Sequence, residues 1–223
     1  MQITDLKHPI HQNMLKKIAE ISRLIHSYGW AEANAGNLSI EVTEMIKQYM
    51  FTEHRWFIVT RTGSRYRQTA LSPIENLVLV ACSETEDNFF PEDAKPTMEW
   101  TSHRCLQMAH DRFKIILHTH PAEIIALSNL PIANDTQQLN QVLSELLPEL
   151  PLYLPEGIAI APRAAPGSQE LCAASSIALT NQKALIWSGH GLLAFANDPD
   201  EALDYLEIVS KAARVYFLNK DIL

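Results

Sequence analysis

The sequence is poor in cysteine: Cys82, Cys105 and Cys172 are the three in 223 residues. They form no C-x-x-C pair and are too few and too scattered for a disulfide framework. That usage suits a reducing compartment, so a cytoplasmic location is expected. Long apolar runs are missing too; none approaches the roughly 18 residues of a membrane helix, and no membrane partner is expected. The opening MQITDLKHPI carries an acidic residue and no apolar centre, unlike a secretory signal. Positive charge is scarce, 18 Lys and Arg against 26 Asp and Glu, a net charge of −8. This argues against nucleic acid or an anionic lipid surface as the main partner. Repeats, low-complexity tracts and linkers are also lacking, so a single α/β domain over residues 1–223 is expected.

With 47% hydrophobic and 20% charged residues, the chain has enough apolar surface to bury a core. Apolar positions at helical spacing over 11–28 predict an amphipathic helix that stops near Gly29. AEANAGNLSI (31–40) reads as a small-residue loop entering a strand. FIVT (57–60) and LVLVAC (77–82) read as strands, and SETEDNFFPEDAKP (83–96) as an acidic loop. A helix is expected from Pro96 or Thr97 to about His110, then a strand over 114–121 and helices over 122–128 and 139–147. Short strands are expected within 151–162, a helix over 168–182 and a buried strand over 184–188. Asp198, Pro199 and Glu201 mark the start of a final helix by capping chemistry. Trp30, Trp56, Trp100 and Trp187 read as packing residues near strand or helix ends.

Four constellations could carry chemistry. In His118-Thr119-His120, residues two apart on a strand face the same side, so both imidazoles can reach one ion. The pair can equally be a coincidence among nine histidines. Gly189-His190-Gly191 flanks a lone histidine with glycines that permit close approach; a third imidazole would complete an open three-ligand site. A satisfied core histidine is the plainer alternative. Glu99 stands in the P-T-M-E segment four residues before His103. A helix dipole accounts for a carboxylate there, and so does work as a general base beside a cation. The loops Asn34-Ala35-Gly36-Asn37 and Thr62-Gly63-Ser64 are ordinary turns or, with exposed backbone N–H groups and nearby Arg61, Arg65 and Arg67, an anion nest.

Taken in order, N-x-G-N, T-x-T-G, P-T-x-E-x-x-x-H, H-x-H-P, a late G-H-G and a capped terminal helix resemble the class II aldolase/adducin family over about residues 30–219. The resemblance implies a central, mostly antiparallel sheet with helices on both faces. It implies a homo-oligomer, usually a cyclic homotetramer with active sites at subunit interfaces. By resemblance, His118, His120 and His190 hold zinc or another divalent metal and Glu99 is the catalytic carboxylate. Gly36, Asn37, Thr62, Gly63 and Thr97 surround a substrate phosphate, Asn34 lies near the substrate, and Glu149 aligns with a second acidic residue. The implied partner is a small sugar phosphate. The implied reaction cleaves a ketose 1-phosphate of the rhamnulose 1-phosphate kind to dihydroxyacetone phosphate and an aldehyde, through a metal-stabilised enediolate. The family also contains ribulose-phosphate epimerases, methylthioribulose-phosphate dehydratases and the non-catalytic adducins. Met98 stands where relatives usually carry a phosphate-contacting serine, and Arg61 where they carry glycine. The sequence stops at Leu223, without the longer tail of several relatives.

Overall fold

The computed structural model describes residues 2–220; Met1 and 221–223, Leu223 included, lie outside them. The chain divides into two compact units, Met1–Trp100 and Thr101–Leu223, each built around four strands.

In the first unit, helix α1 (Gln12–Ser27) buries Leu15, Ile18, Ile21 and Ile25, the stripe predicted by 3.6-residue periodicity. Gly29 ends it at φ +72°, and Trp30 N–H returns to the Ile25 carbonyl, closing the last turn. Strand β1 (Asn37–Glu41), helix α2 (Thr43–Lys47), β2 (Arg55–Thr60), the short helices α3 (Tyr66–Thr69) and α4 (Pro73–Asn76), β3 (Leu77–Cys82) and β4 (Asp87–Phe90) follow. The strands lie in the order β4-β3-β2-β1, all pairs antiparallel. All six residues of β3 are buried, so the strand is covered on both faces and reads as a continuous apolar run.

Strand β4 corrects the acidic loop expected over 83–96. Phe89 and Phe90 pair with Val80 and Leu79, and the Phe90 ring stacks on Trp56 at 5.6 Å. Cross-strand aromatic contact stabilises a strand that its acidic, Pro-flanked sequence conceals.

The second unit contains α5 (Trp100–Ala109) from its second residue on, β5 (Ile115–Thr119), α6 (Ala122–Ser128), α7 (Thr136–Leu146), α8 (Leu150–Tyr153), β6 (Ala159–Ala161), α9 (Gln169–Ala178), β7 (Ala184–Trp187), β8 (Gly191–Ala196) and α10 (Pro199–Lys220). Its strand order is β5-β8-β7-β6, antiparallel except for the parallel β6–β7 pair. Leu106, Ile116, Leu171, Trp187, Leu193 and Phe195 form one cluster on the α9 side of these strands. Helix α10 packs on β5 and β8 and outside that cluster, so helices cover both faces here. Asp198 caps α10 by accepting from Asp200 N–H at 2.9 Å, as its sequence signal predicts.

Three further differences have local causes. The helix expected from residue 96 or 97 starts at Trp100, because Pro96 and Thr97 are held in extended pairing: Arg61 bridges Pro96, and Thr97 N–H donates to the Thr60 carbonyl. Residues 150–153 wind into a helical turn instead of a strand, leaving β6 as the strand of that segment. Strand β8, absent from the sequence-based elements, pairs on both edges with β5 and β7.

Candidate metal centre and catalytic carboxylate

The second unit assembles three imidazoles. His118 follows Ile116 on the cluster-facing side of β5 and is fully buried. Its Nδ1 donates to the Leu192 carbonyl on β8 at 3.1 Å, which leaves the Nε2 lone pair outward. His120, just past the strand and before Pro121, brings its Nε2 to 3.0 Å from His118 Nε2. His190 sits in the β7–β8 turn. There Gly189 has φ +69° and donates its N–H to Ser128 Oγ at 2.8 Å, and His190 N–H donates to the Trp187 carbonyl. Ring centroids lie 4.8–5.0 Å apart, and the donor atoms of all three histidines fall within 4.8 Å of one another.

This donor set fits a divalent cation. Metal–nitrogen bonds of about 2.0–2.1 Å at tetrahedral angles put neighbouring nitrogens about 3.3 Å apart, close to the His118–His120 spacing. Three neutral imidazoles leave one coordination position open, the arrangement of a catalytic rather than a structural site. Gly191 is part of the fit. A Cβ there would lie 2.5 Å from the Thr119 carbonyl oxygen and 2.9 Å from ring carbons of both His118 and His120. Only glycine lets the turn pack this tightly on the two rings.

Trp187 was expected to be a packing residue, and what it packs is the site. Its ring is 4.7 Å from His118 and 5.0 Å from His190, and its Nε1 donates to Ser175 Oγ at 2.8 Å. Nothing in the local sequence marks that role beyond its place two residues before the glycine turn.

Glu99 belongs to the first unit and is buried. It precedes α5 in a turn where Trp100 N–H donates to the Thr97 carbonyl and Glu99 N–H to Thr97 Oγ1. Asn37 Nδ2 donates to Glu99 Oε2 at 2.6 Å, and Tyr66 Oη donates to the Asn37 carbonyl at 2.8 Å. Burial and then the Glu99 charge hold the Tyr66 phenol well above its ordinary pKa, so it stays a protonated donor. Trp100 anchors the turn from the other side: its Nε1 donates to Asp87 of β4 at 2.8 Å, and its ring meets Phe57 at 5.5 Å. Tyr66 went unnoticed in the sequence, where it stands among arginines.

The remaining candidates gather at one end of the first unit's strands. Asn37 begins β1 beside the end of β2, where Leu38 N–H donates to Thr60 Oγ1, and Thr97 is tied to Thr60 by its N–H. Gly36 and Gly63 have φ of +74° and +76°, and Ala33 takes φ +48°, a left-handed conformation that L residues seldom adopt. Asn34, Thr62 and Gly63 are exposed. The nest is smaller than the sequence suggested, because Thr62 N–H donates to the Lys95 carbonyl and Ser64 N–H to that of Arg61. Among the described residues no backbone carbonyl takes the Gly36 or Gly63 N–H. Met98 is exposed. Arg61 gives its Nε to the Leu77 carbonyl and lines a surface cavity with Leu71, Glu75 and Phe90. Glu149 is exposed ahead of α8 and is not one of the grouped ligands, and His103 is buried in α5.

Residues 16–217 match the model of the family described as class II aldolase and adducin N-terminal domain, and the chain belongs to that family. Relatives on the aldolase side of the family, which are lyases, include the following. A rhamnulose-1-phosphate aldolase of Listeria welshimeri is 28% identical, across 91% of this chain and 82% of its own. One from Bacteroides thetaiotaomicron is 26% identical, across 93% and 86%. Among solved structures, a sugar-phosphate aldolase from Thermotoga maritima superposes with a TM-score of 0.82 at 25% identity, across 95% of this chain and 96% of its own.

Proposed function

We propose that the protein is a zinc-dependent class II aldolase that cleaves a ketose 1-phosphate of the rhamnulose 1-phosphate kind to dihydroxyacetone phosphate and an aldehyde. The observation that carries this reading is the histidine trio, with His118 fixed by its backbone partner and the glycine turn closed against its ring. His118, His120 and His190 hold the ion, which when bound supplies Lewis-acid stabilisation of negative charge on the substrate's C2 oxygen. Glu99 moves the proton to or from C3 as the C3–C4 bond breaks or forms. Asn37 holds that carboxylate in place by donating its amide N–H to Oε2. Gly36, Asn37, Thr62, Gly63 and Thr97 receive the phosphate through N–H, amide and hydroxyl groups, which fixes the reacting carbons in place. Asn34 borders the substrate, and Glu149 serves as a second acidic residue.

The same reading makes 1–223 one functional domain, cytoplasmic and homotetrameric. The three cysteines, none of them in a disulfide, and the exposed apolar side chains of Phe51, Leu71 and Ile177 support those assignments. The test is release of dihydroxyacetone phosphate from L-rhamnulose 1-phosphate by zinc-loaded protein, with a chelated control. Chelator-sensitive release is the expected outcome. Absence of release from fully metallated protein overturns the substrate, and an isomerised or dehydrated product reassigns the reaction within the family.

A further inference from the structure

Arg163 lies two residues beyond β6, on a segment tied to the β7–β8 turn by Ser188, whose N–H and Oγ both donate to the Ala161 carbonyl. Its guanidinium rests on Gly189. A Cβ at Gly189 would lie 2.1 Å from Nη2, 2.4 Å from Cζ and 2.9 Å from Nη1, so the planar group covers the residue next to His190. Nη2 donates to Asn129 Oδ1 at 2.6 Å, at the end of α6. The side chain is exposed, and among the described residues no carboxylate pairs with it.

An exposed arginine ordinarily keeps its conformational freedom. This one is held by a neutral acceptor and a glycine, in a chain of net charge −8, and its charge is left uncompensated. A guanidinium presents five N–H donors in a planar fork that matches an oxyanion in a bidentate manner, and Asn129 takes part of that fork.

We propose that Arg163 is an anion-recognising residue beside the histidine trio and selects substrates that present a phosphate or carboxylate there. This rests on reading the trio as the reaction centre. It assigns a specificity role to a residue that the family motifs do not include.

The experiment titrates full-length zinc-loaded protein by calorimetry, with inorganic phosphate in one arm and glycolate in the other. Wild type and the Arg163→Gln and Arg163→Lys variants are compared, with zinc stoichiometry and circular dichroism measured on each. Losing a charge-assisted contact weakens binding by about 10- to 100-fold in Arg163→Gln, with an intermediate value for Arg163→Lys and zinc content unchanged. A loss confined to the phosphate arm identifies a phosphate ligand, and one confined to glycolate a carboxylate. Equal affinity in wild type and Arg163→Gln, or no binding of either anion to wild type, overturns the proposal. The outcome is separable from that of the aldolase assay. Arginine-dependent anion binding without dihydroxyacetone phosphate release leaves this role standing and removes the named substrate. Release with unchanged kcat/KM in Arg163→Gln does the reverse.

Discussion

The two units prepare their chemistry by different physical means. In the second, the histidine trio is fixed largely by close packing: a strand pair, a tryptophan face and a glycine turn leave the rings little room to turn. In the first, Glu99 is fixed by a hydrogen-bonded relay from Tyr66 through Asn37, with Trp100 tethered to Asp87 behind it. Packing tolerates no added volume, whereas a relay tolerates volume but not the loss of a donor. The histidine cluster and the buried carboxylate therefore fail in distinguishable ways.

The sharpest break is expected from Gly191→Ala. Its methyl group meets a backbone oxygen and the rings of His118 and His120, so stability falls by about 1–3 kcal/mol. Zinc affinity falls on the order of 10- to 100-fold, as when an outer partner of a ligand is lost. Thermal unfolding and metal titration read both effects, and unchanged zinc binding would refute the steric account. Next in size is Asn37→Ala, which removes the hydrogen bond from Asn37 Nδ2 to the Glu99 carboxylate. In the aldol assay kcat is expected to fall about 10-fold, a fraction of what general acid–base catalysis contributes, while zinc affinity is retained. A parallel loss of zinc would collapse the distinction between the halves. The smallest effect belongs to Tyr66→Phe, which removes the donor to the Asn37 carbonyl and costs about 1 kcal/mol of stability by denaturant titration.

Much of this was legible in the sequence because the relevant order is local. The H-x-H pair falls on β5 and at its end, β3 spans the apolar run it was read from, and α6 occupies 122–128. What escaped is order supplied from afar. Strand β4 exists because β3 offers an edge, and β8 because two strands flank it. Tyr66 reaches Asn37 across 29 residues, and nothing beside either position announces the other. The anion nest shrank for the same reason: Thr62 N–H is consumed by Lys95, 33 positions on, at a distance of 2.9 Å.

The tether between Trp100 and Asp87 gives the acidic edge strand β4 a reach beyond its own length. Edge strands lie at the periphery of a sheet and accept insertions and exchanges that interior strands do not. A lineage that remodels this rim acts, through a single indole, on the residue next to Glu99. A change at the margin of the fold thereby bears directly on the turn that carries a buried carboxylate.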